Sequence, residues 1–321
     1  MTINNSSQPK KLPKKTSRRK KLIITGTVIF TILLVVTITV ISVYSAYIFT
    51  HPMRLPIDKH PENYNMTIYE NVTISSTEGI KLYGWFIPAQ NNTTEKMNIA
   101  TIILAHGYNG NRVHMLRFAE FLYKAGYNSL LFDFRAHGTS EGSVTTIGLK
   151  EAEDVFSALK YLQSRGDVNS SRIFLFGMSM GGAASIIASS YAEQNNVPVR
   201  GLITDSAFAE LKPIAEKSIA RTLPAFPFVP LVIYFGQQYT KSDVNENRPI
   251  KYISTLRKTP VLLIHGSDDT LVPVDDVNAL YESANVPKQK LIFENAEHGN
   301  GYEMYKKEYE QAVLDFIGQN N

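Results

Sequence analysis

The sequence predicts an α/β domain on a mostly parallel sheet, with helices on both faces and a small helical cap, preceded by one transmembrane helix. Two observations predict it. Compact β-rich apolar runs (ATIILAHG, NSLLFDFRAHG, RIFLFGMSMGG, VRGLITDSAF, PVLLIHGSDD, KLIFENAEHG) alternate with helical stretches at 112–125, 147–164, 181–194, 275–284 and 302–317. Strands apolar at nearly every position and spaced by helices belong in a sheet covered on both faces. The second observation is a run of 29 residues, 22–50, without one charged side chain. As a helix it extends about 43 Å, more than the roughly 30 Å of a hydrocarbon core.

Residues 1–21 form a basic tail that holds eight of the 33 Lys and Arg residues and none of the 29 acids. The remaining 25 bases therefore face 29 acids, so the net +4 of the chain hides a folded part of net −4. Positive charge gathered in a tail beside an apolar segment argues against nucleic acid as a partner, because a nucleic-acid binder carries that charge on its folded surface. Residues 22–50 read as the transmembrane helix. A cleaved signal peptide is the rival, but its apolar region is shorter, about 7–15 residues, and ends in a small-x-small site, for which Ser45-Ala46 is a weak match. Eight bases ahead of the helix place the N-terminus in the cytoplasm and the domain outside. The chain has no cysteine, which excludes disulfides, thiol catalysis and cysteine metal sites.

Residues 51–65 contain Pro52, Pro56 and Pro61 and no apolar periodicity, a stiff linker expected to leave the domain separable from its anchor. The catalytic-size domain is 66–321. It opens with strand-like runs at 66–76 and 80–88 around Glu78-Gly79, a hairpin. Residues 206–250 interrupt the strand–helix alternation with a Pro-rich, aromatic-rich segment, RTLPAFPFVPLVIYFGQQYT, read as the cap. Its run at 225–235 leaves three readings open: packing on the domain, an apolar wall for an acyl chain, or a face dipping into the membrane.

Gly177-Met178-Ser179-Met180-Gly181 closes an apolar strand and is followed at once by small residues and a helix. A nucleophile on so tight a strand-to-helix turn needs hydrogen in place of side chains two positions before and after it. Near a helix N-terminus its developing negative charge meets backbone N–H groups. A serine hydroxyl also needs a base, and the base an orienting acid. His298, after the last predicted strand, and Asp269, after the strand before it, supply these in the order Ser, Asp, His, all at carboxyl ends of parallel strands. Asp268 is the neighbouring rival for the acid and His137 the rival base. His106 and His265 read as loop-bracing residues. No His/Asp/Glu cluster outside the triad region has metal-ligand spacing, so no metal and no cofactor are expected.

These motifs resemble the α/β-hydrolase superfamily, in its branch of serine aminopeptidases, monoglyceride lipases and membrane-tethered esterases. They are His106-Gly107-Tyr108, DFRAHGTS at 133–140, the turn at Ser179, Asp205-Ser206-Ala207-Phe208, HGSDDTLVP at 265–273 and Glu297-His298-Gly299, and the likeness runs over about 71–316. The resemblance implies an eight-stranded sheet, Asp269 as the acid, three residues after the His-Gly pair, and an oxyanion hole from the backbone N–H groups of Tyr108 and Met180. Phe208, Phe228 and Phe235 are the expected pocket residues. Ala136 departs from a position where the family commonly has Gly. The expected function is hydrolysis of a small-molecule ester by an acyl-enzyme on Ser179, with a short-peptide peptidase or a thioesterase as alternatives and an idle receptor or scaffold as the rival of another class. An aspartate would be needed at position 179 for a dehalogenase or epoxide hydrolase of this fold, so Ser179 excludes both. The expected location is the cell membrane.

Overall fold

The computed structural model describes residues 16–90 and 99–321; the basic tail before Thr16 lies outside the described residues. Helix α1 (Thr16–Thr50) takes in the whole uncharged run and is long and apolar enough to cross a membrane. Its side chains are exposed from residue 18 to residue 37, but near its C-terminal end Ser42, Ala46 and Thr50 are buried. Those three lie four apart, on one face.

The linker is not free of the domain. The Arg54 guanidinium donates to the carbonyls of Gly138 at 3.1 Å, Ser140 at 2.5 Å and Gly142 at 2.6 Å. The Asn111 amide donates to the Leu55 and Pro56 carbonyls, both at 3.1 Å. The expectation of a stiff linker separable from the domain looked for apolar periodicity, whereas the attachment is made of side-chain bonds to main-chain carbonyls, which leave no hydropathy pattern.

Strands β1 (Glu70–Ser75) and β2 (Lys81–Ile87) form the expected antiparallel hairpin, turning at Gly79 with φ +80°. There follow β3 (Thr101–Ala105), β4 (Asn128–Phe132), β5 (Ile173–Met178), β6 (Gly201–Asp205), β7 (Val261–Gly266) and β8 (Lys288–Phe293). They make one eight-stranded sheet in the order β1-β2-β4-β3-β5-β6-β7-β8, antiparallel only at its β1-β2 and β2-β4 pairs. Every residue of β3, β4, β6 and β7 is buried, as strands without alternation require.

On one face, α3 (Leu149–Ser164), α4 (Met180–Gln194), α7 (Pro249–Ile253) and α8 (Val274–Ser283) cover Ile103, Leu130, Leu175 and Leu263. On the other, α2 (Leu116–Lys124), α9 (Gly301–Met304) and α10 (Lys306–Asn320) enclose a core with Phe118, Phe174, Phe176, Tyr309 and Phe316. Each such ring contributes about 1.5–3 kcal/mol on burial. Between β6 and β7 stand the cap helices α5 (Leu211–Ala220) and α6 (Ala225–Thr240). Sheet register brings the carboxyl ends level: Ala105 pairs with Gly177, Met178 with Asp205, and Asp205 with Ile264. The site is built on that edge.

Candidate active site

Ser179 sits between β5 and α4 with φ 53° and ψ −118°, a backbone state that costs a non-glycine residue about 1–3 kcal/mol. Its surroundings hold it there. The Ser179 N–H donates to the Asp205 carbonyl at 2.7 Å. A Cβ on Gly177 would lie 2.2 Å from the Gly181 oxygen, and one on Gly181 2.2 Å from the Ala105 oxygen, so only hydrogen fits at either position. The turn thus lifts the hydroxyl over the sheet edge at the head of α4.

The Ser179 hydroxyl lies 2.9 Å from His298 Nε2, and His298 Nδ1–H donates to Asp269 Oδ2 at 2.6 Å. The Asp269 side chain is fully buried, and its other oxygen accepts from the Leu271 and Val272 N–H groups at 2.9 and 2.8 Å. Those bonds hold the carboxylate in place, and it orients the imidazole with Nε2 toward the serine. The structure brings Ser179, Asp269 and His298 together and leaves the rivals aside. Asp268 is exposed and takes a bond from its neighbour Ser267. His137 is buried, its Nδ1 committed to the Arg135 carbonyl at 2.8 Å. His106 braces the loops, donating to the Gly107 carbonyl at 2.8 Å and accepting from the Phe134 N–H at 3.1 Å. Burial pushes the pKa of His106 well below the usual histidine value and lowers that of His137. His265 Nε2–H donates to the Val272 carbonyl at 3.0 Å, pinning the Asp269 turn. Ala136 holds φ 63°, a left-handed state that explains why glycine suits that position.

Two loops frame this line of residues. The one after β3 runs against Ser179, since a Cβ on Gly107 would sit 3.4 Å from Ser179 Cβ; it carries Tyr108, and Met180 follows the serine, both bordering the cavity. The Tyr108 hydroxyl donates to the Phe49 carbonyl at 3.1 Å, at the end of α1, and burial pushes its pKa up to about 12. The Asp205-Ser206 pair does what motif matching alone left unsaid: the Asp205 carbonyl receives the Ser179 N–H, while Ser206 Oγ accepts the Gly299 N–H at 3.0 Å and so ties down the His298 loop.

Above Ser179 opens a cavity of about 310 Å³. Phe208 lines it, but Phe228 and Phe235 do not. From α6 the bordering residues are Val232, Ile233, Gly236, Gln237 and Thr240, which recur at helical spacing, so Phe235 is turned into the packing with α1. In a run apolar all round, no periodicity distinguished these faces. Glu151, unremarked in the sequence, shapes another wall: its carboxylate takes bonds from Thr145, Thr146 and Gly148 at 2.7–3.1 Å.

A family model described as "Serine aminopeptidase, S33" (Hydrolase_4) matches residues 96–255. The uncharacterized protein YfhR of Escherichia coli (strain K12) is 31% identical over 249 residues, 77% of this chain and 80% of that protein. Protein bem46 of Schizosaccharomyces pombe is 26% identical, over 81% of this chain and 80% of its own. Among solved structures, the Pyrococcus furiosus esterase Pf2001 superimposes with a TM-score of 0.66 at 28% identity, covering 84% of this chain and 98% of that one.

Proposed function

Since the chain belongs to the serine aminopeptidase S33-like family of α/β hydrolases, we propose that it is a membrane-anchored serine hydrolase that cleaves carboxylic esters through an acyl-enzyme. The observation that carries this reading is the hydrogen-bonded line from Ser179 through His298 to buried Asp269 at the floor of the cavity. Ser179 Oγ attacks the ester carbonyl as His298 Nε2 takes its proton. Backbone N–H groups at Tyr108 and Met180 receive the oxyanion, each worth about 2.7–4 kcal/mol in the transition state. The alcohol leaves with the proton from His298, and water, activated by the same imidazole, releases the acid.

Esters are favoured over peptides by the cavity itself. Among the described residues, the one charged side chain on its border is Asp243, which is exposed at the rim and accepts both of its bonds from Asn245 on Oδ1. An aminopeptidase needs a carboxylate beside the scissile bond to meet the substrate's ammonium group, and the rest of the cavity border is uncharged. Helix α1, with bases before it, is read as the anchor, and the domain as extracytoplasmic.

A fluorophosphonate should label the protein once, at Ser179, and p-nitrophenyl butyrate should be turned over faster than aminoacyl p-nitroanilides. Folded protein that resists the probe would remove the mechanism. Faster anilides would make it a peptidase.

A further inference from the structure

The cavity over Ser179 is bordered by three residues of the anchor itself, Ala46, Phe49 and Thr50. Small buried residues let α6 come close: Ser42, Ala46 and Thr50 repeat every fourth position, and Gly236 faces Thr50, where an added Cβ would be 3.8 Å from Thr50 Cγ2. The carbonyl oxygens at the end of α1, orphaned in any helix, are taken up by the catalytic loops. Phe49 O accepts from Tyr108, and Thr50 O accepts the Thr145 N–H at 2.9 Å.

A core of about 30 Å needs about 20 helical residues. Counted from Lys21, the last charge before the apolar run, they end near Ile41, and the buried stripe starts at Ser42. One stretch of α1 thus serves the hydrocarbon and the next serves the cavity. Helix α6 runs parallel to it: Gly236 stands by Thr50, the Tyr239 ring lies 6.0 Å from Tyr47 and 5.3 Å from His51, and Val232 shares a cluster with Ala46. Its first turn therefore points back toward the bilayer. The segment 225–240 carries no charged residue, and Phe226, at a kink where the backbone leaves helical geometry, is exposed by 84%.

We propose that α1 is part of the acyl-binding site, and that the substrate is a long-chain acyl ester lipid whose chain enters from the adjoining leaflet along the α1–α6 seam. This rests on Ser179 acting as the nucleophile. A cavity of 310 Å³ takes about ten methylenes if each needs about the 30 Å³ of a water molecule. Each one buried should raise kcat/KM about fourfold until the space is filled.

The test uses the full chain in lipid vesicles, with p-nitrophenyl esters from acetate to dodecanoate and fluorophosphonate labelling of Ser179 alongside. Ala46→Trp should cut the decanoate-to-acetate ratio of kcat/KM at least tenfold, and Phe49→Ala should move the optimum to longer chains. If labelling persists and neither variant moves the profile, α1 is only a tether. Should Ala46→Trp fail to label, Phe49→Ala decides alone. Loss of labelling in the unsubstituted protein would instead strike at the nucleophile. A second arm separates the sources: monoacylglycerol in the enzyme's own vesicles should be cleaved at least tenfold faster than in separate vesicles, and equal rates would assign supply from solution and overturn entry from the leaflet.

Discussion

Beneath the cavity, Asp269 alone receives three N–H donors and the nucleophile's turn has room for hydrogen and nothing larger at two positions. Above it, the seam between 42–50 and 225–240 has no charged side chain at all and is closed by Ala46, Val232, Phe235 and their neighbours. Directional bonds hold the floor to one geometry. Apolar contact holds the roof, and apolar contact tolerates exchange of residues of similar volume. The difference teaches where precision is built in: along the line of Ser179, His298 and Asp269, and much less in the roof proposed to take the acyl chain.

The largest expected effect strikes the floor. Ser179→Ala or His298→Ala should lower kcat by about 10⁶, with Asp269→Asn losing about 10⁴. Asp268→Asn should stay within about twofold. Steady-state kinetics on one ester decide this, and a greater loss from Asp268 than from Asp269 would reassign the acid. Next come the glycines. Gly177→Ala or Gly181→Ala forces a methyl group onto a backbone oxygen and should cost about 3 kcal/mol or more, seen as a lowered unfolding midpoint together with lost labelling. Unchanged stability would mean that the turn is looser than drawn.

A smaller effect comes from acid. Burial depresses the pKa of His106 and His137 in the folded protein, so both stay neutral while the unfolded chain takes up protons near pH 6.5. Their contribution is complete above that pH and is lost as pH falls, by up to about 1.4 kcal/mol per unit for each. Thermal midpoints at pH 7, 6 and 5 should drop, and His137→Gln should flatten the slope. The roof supplies the smallest effect: Phe228→Ala, half-buried and off the cavity, should leave the chain-length profile within about twofold. A profile that shortens would put Phe228 back on the wall.

The floor was legible in the sequence because each of its positions demands one residue type. Gly177, Gly181, Ser179, Asp269 and His298 are local signatures that survive without knowledge of the rest. Strand and helix order was legible for the same reason, through apolar runs such as 101–105 and 261–266. In the roof, every residue of AFPFVPLVIYF suits a core equally well, so Phe228 and Phe235 were expected where Val232 and Gly236 stand. The stripe Ser42, Ala46, Thr50 was hidden in a helix apolar on all sides. Arg54 carried no sign of its partners, which are carbonyl oxygens 84 to 88 residues away.

That arginine has a mechanical consequence. With its guanidinium clamped to the 138–142 loop, Asn111 gripping Leu55 and Pro56, and Thr145 bonded to Thr50, the C-terminal end of α1 and the residues after it are bonded directly to the loops of the domain. In the anchor proposed above, the domain would tilt with the helix instead of swinging on a hinge, and the height of Ser179 over the lipid plane would be set by that tilt.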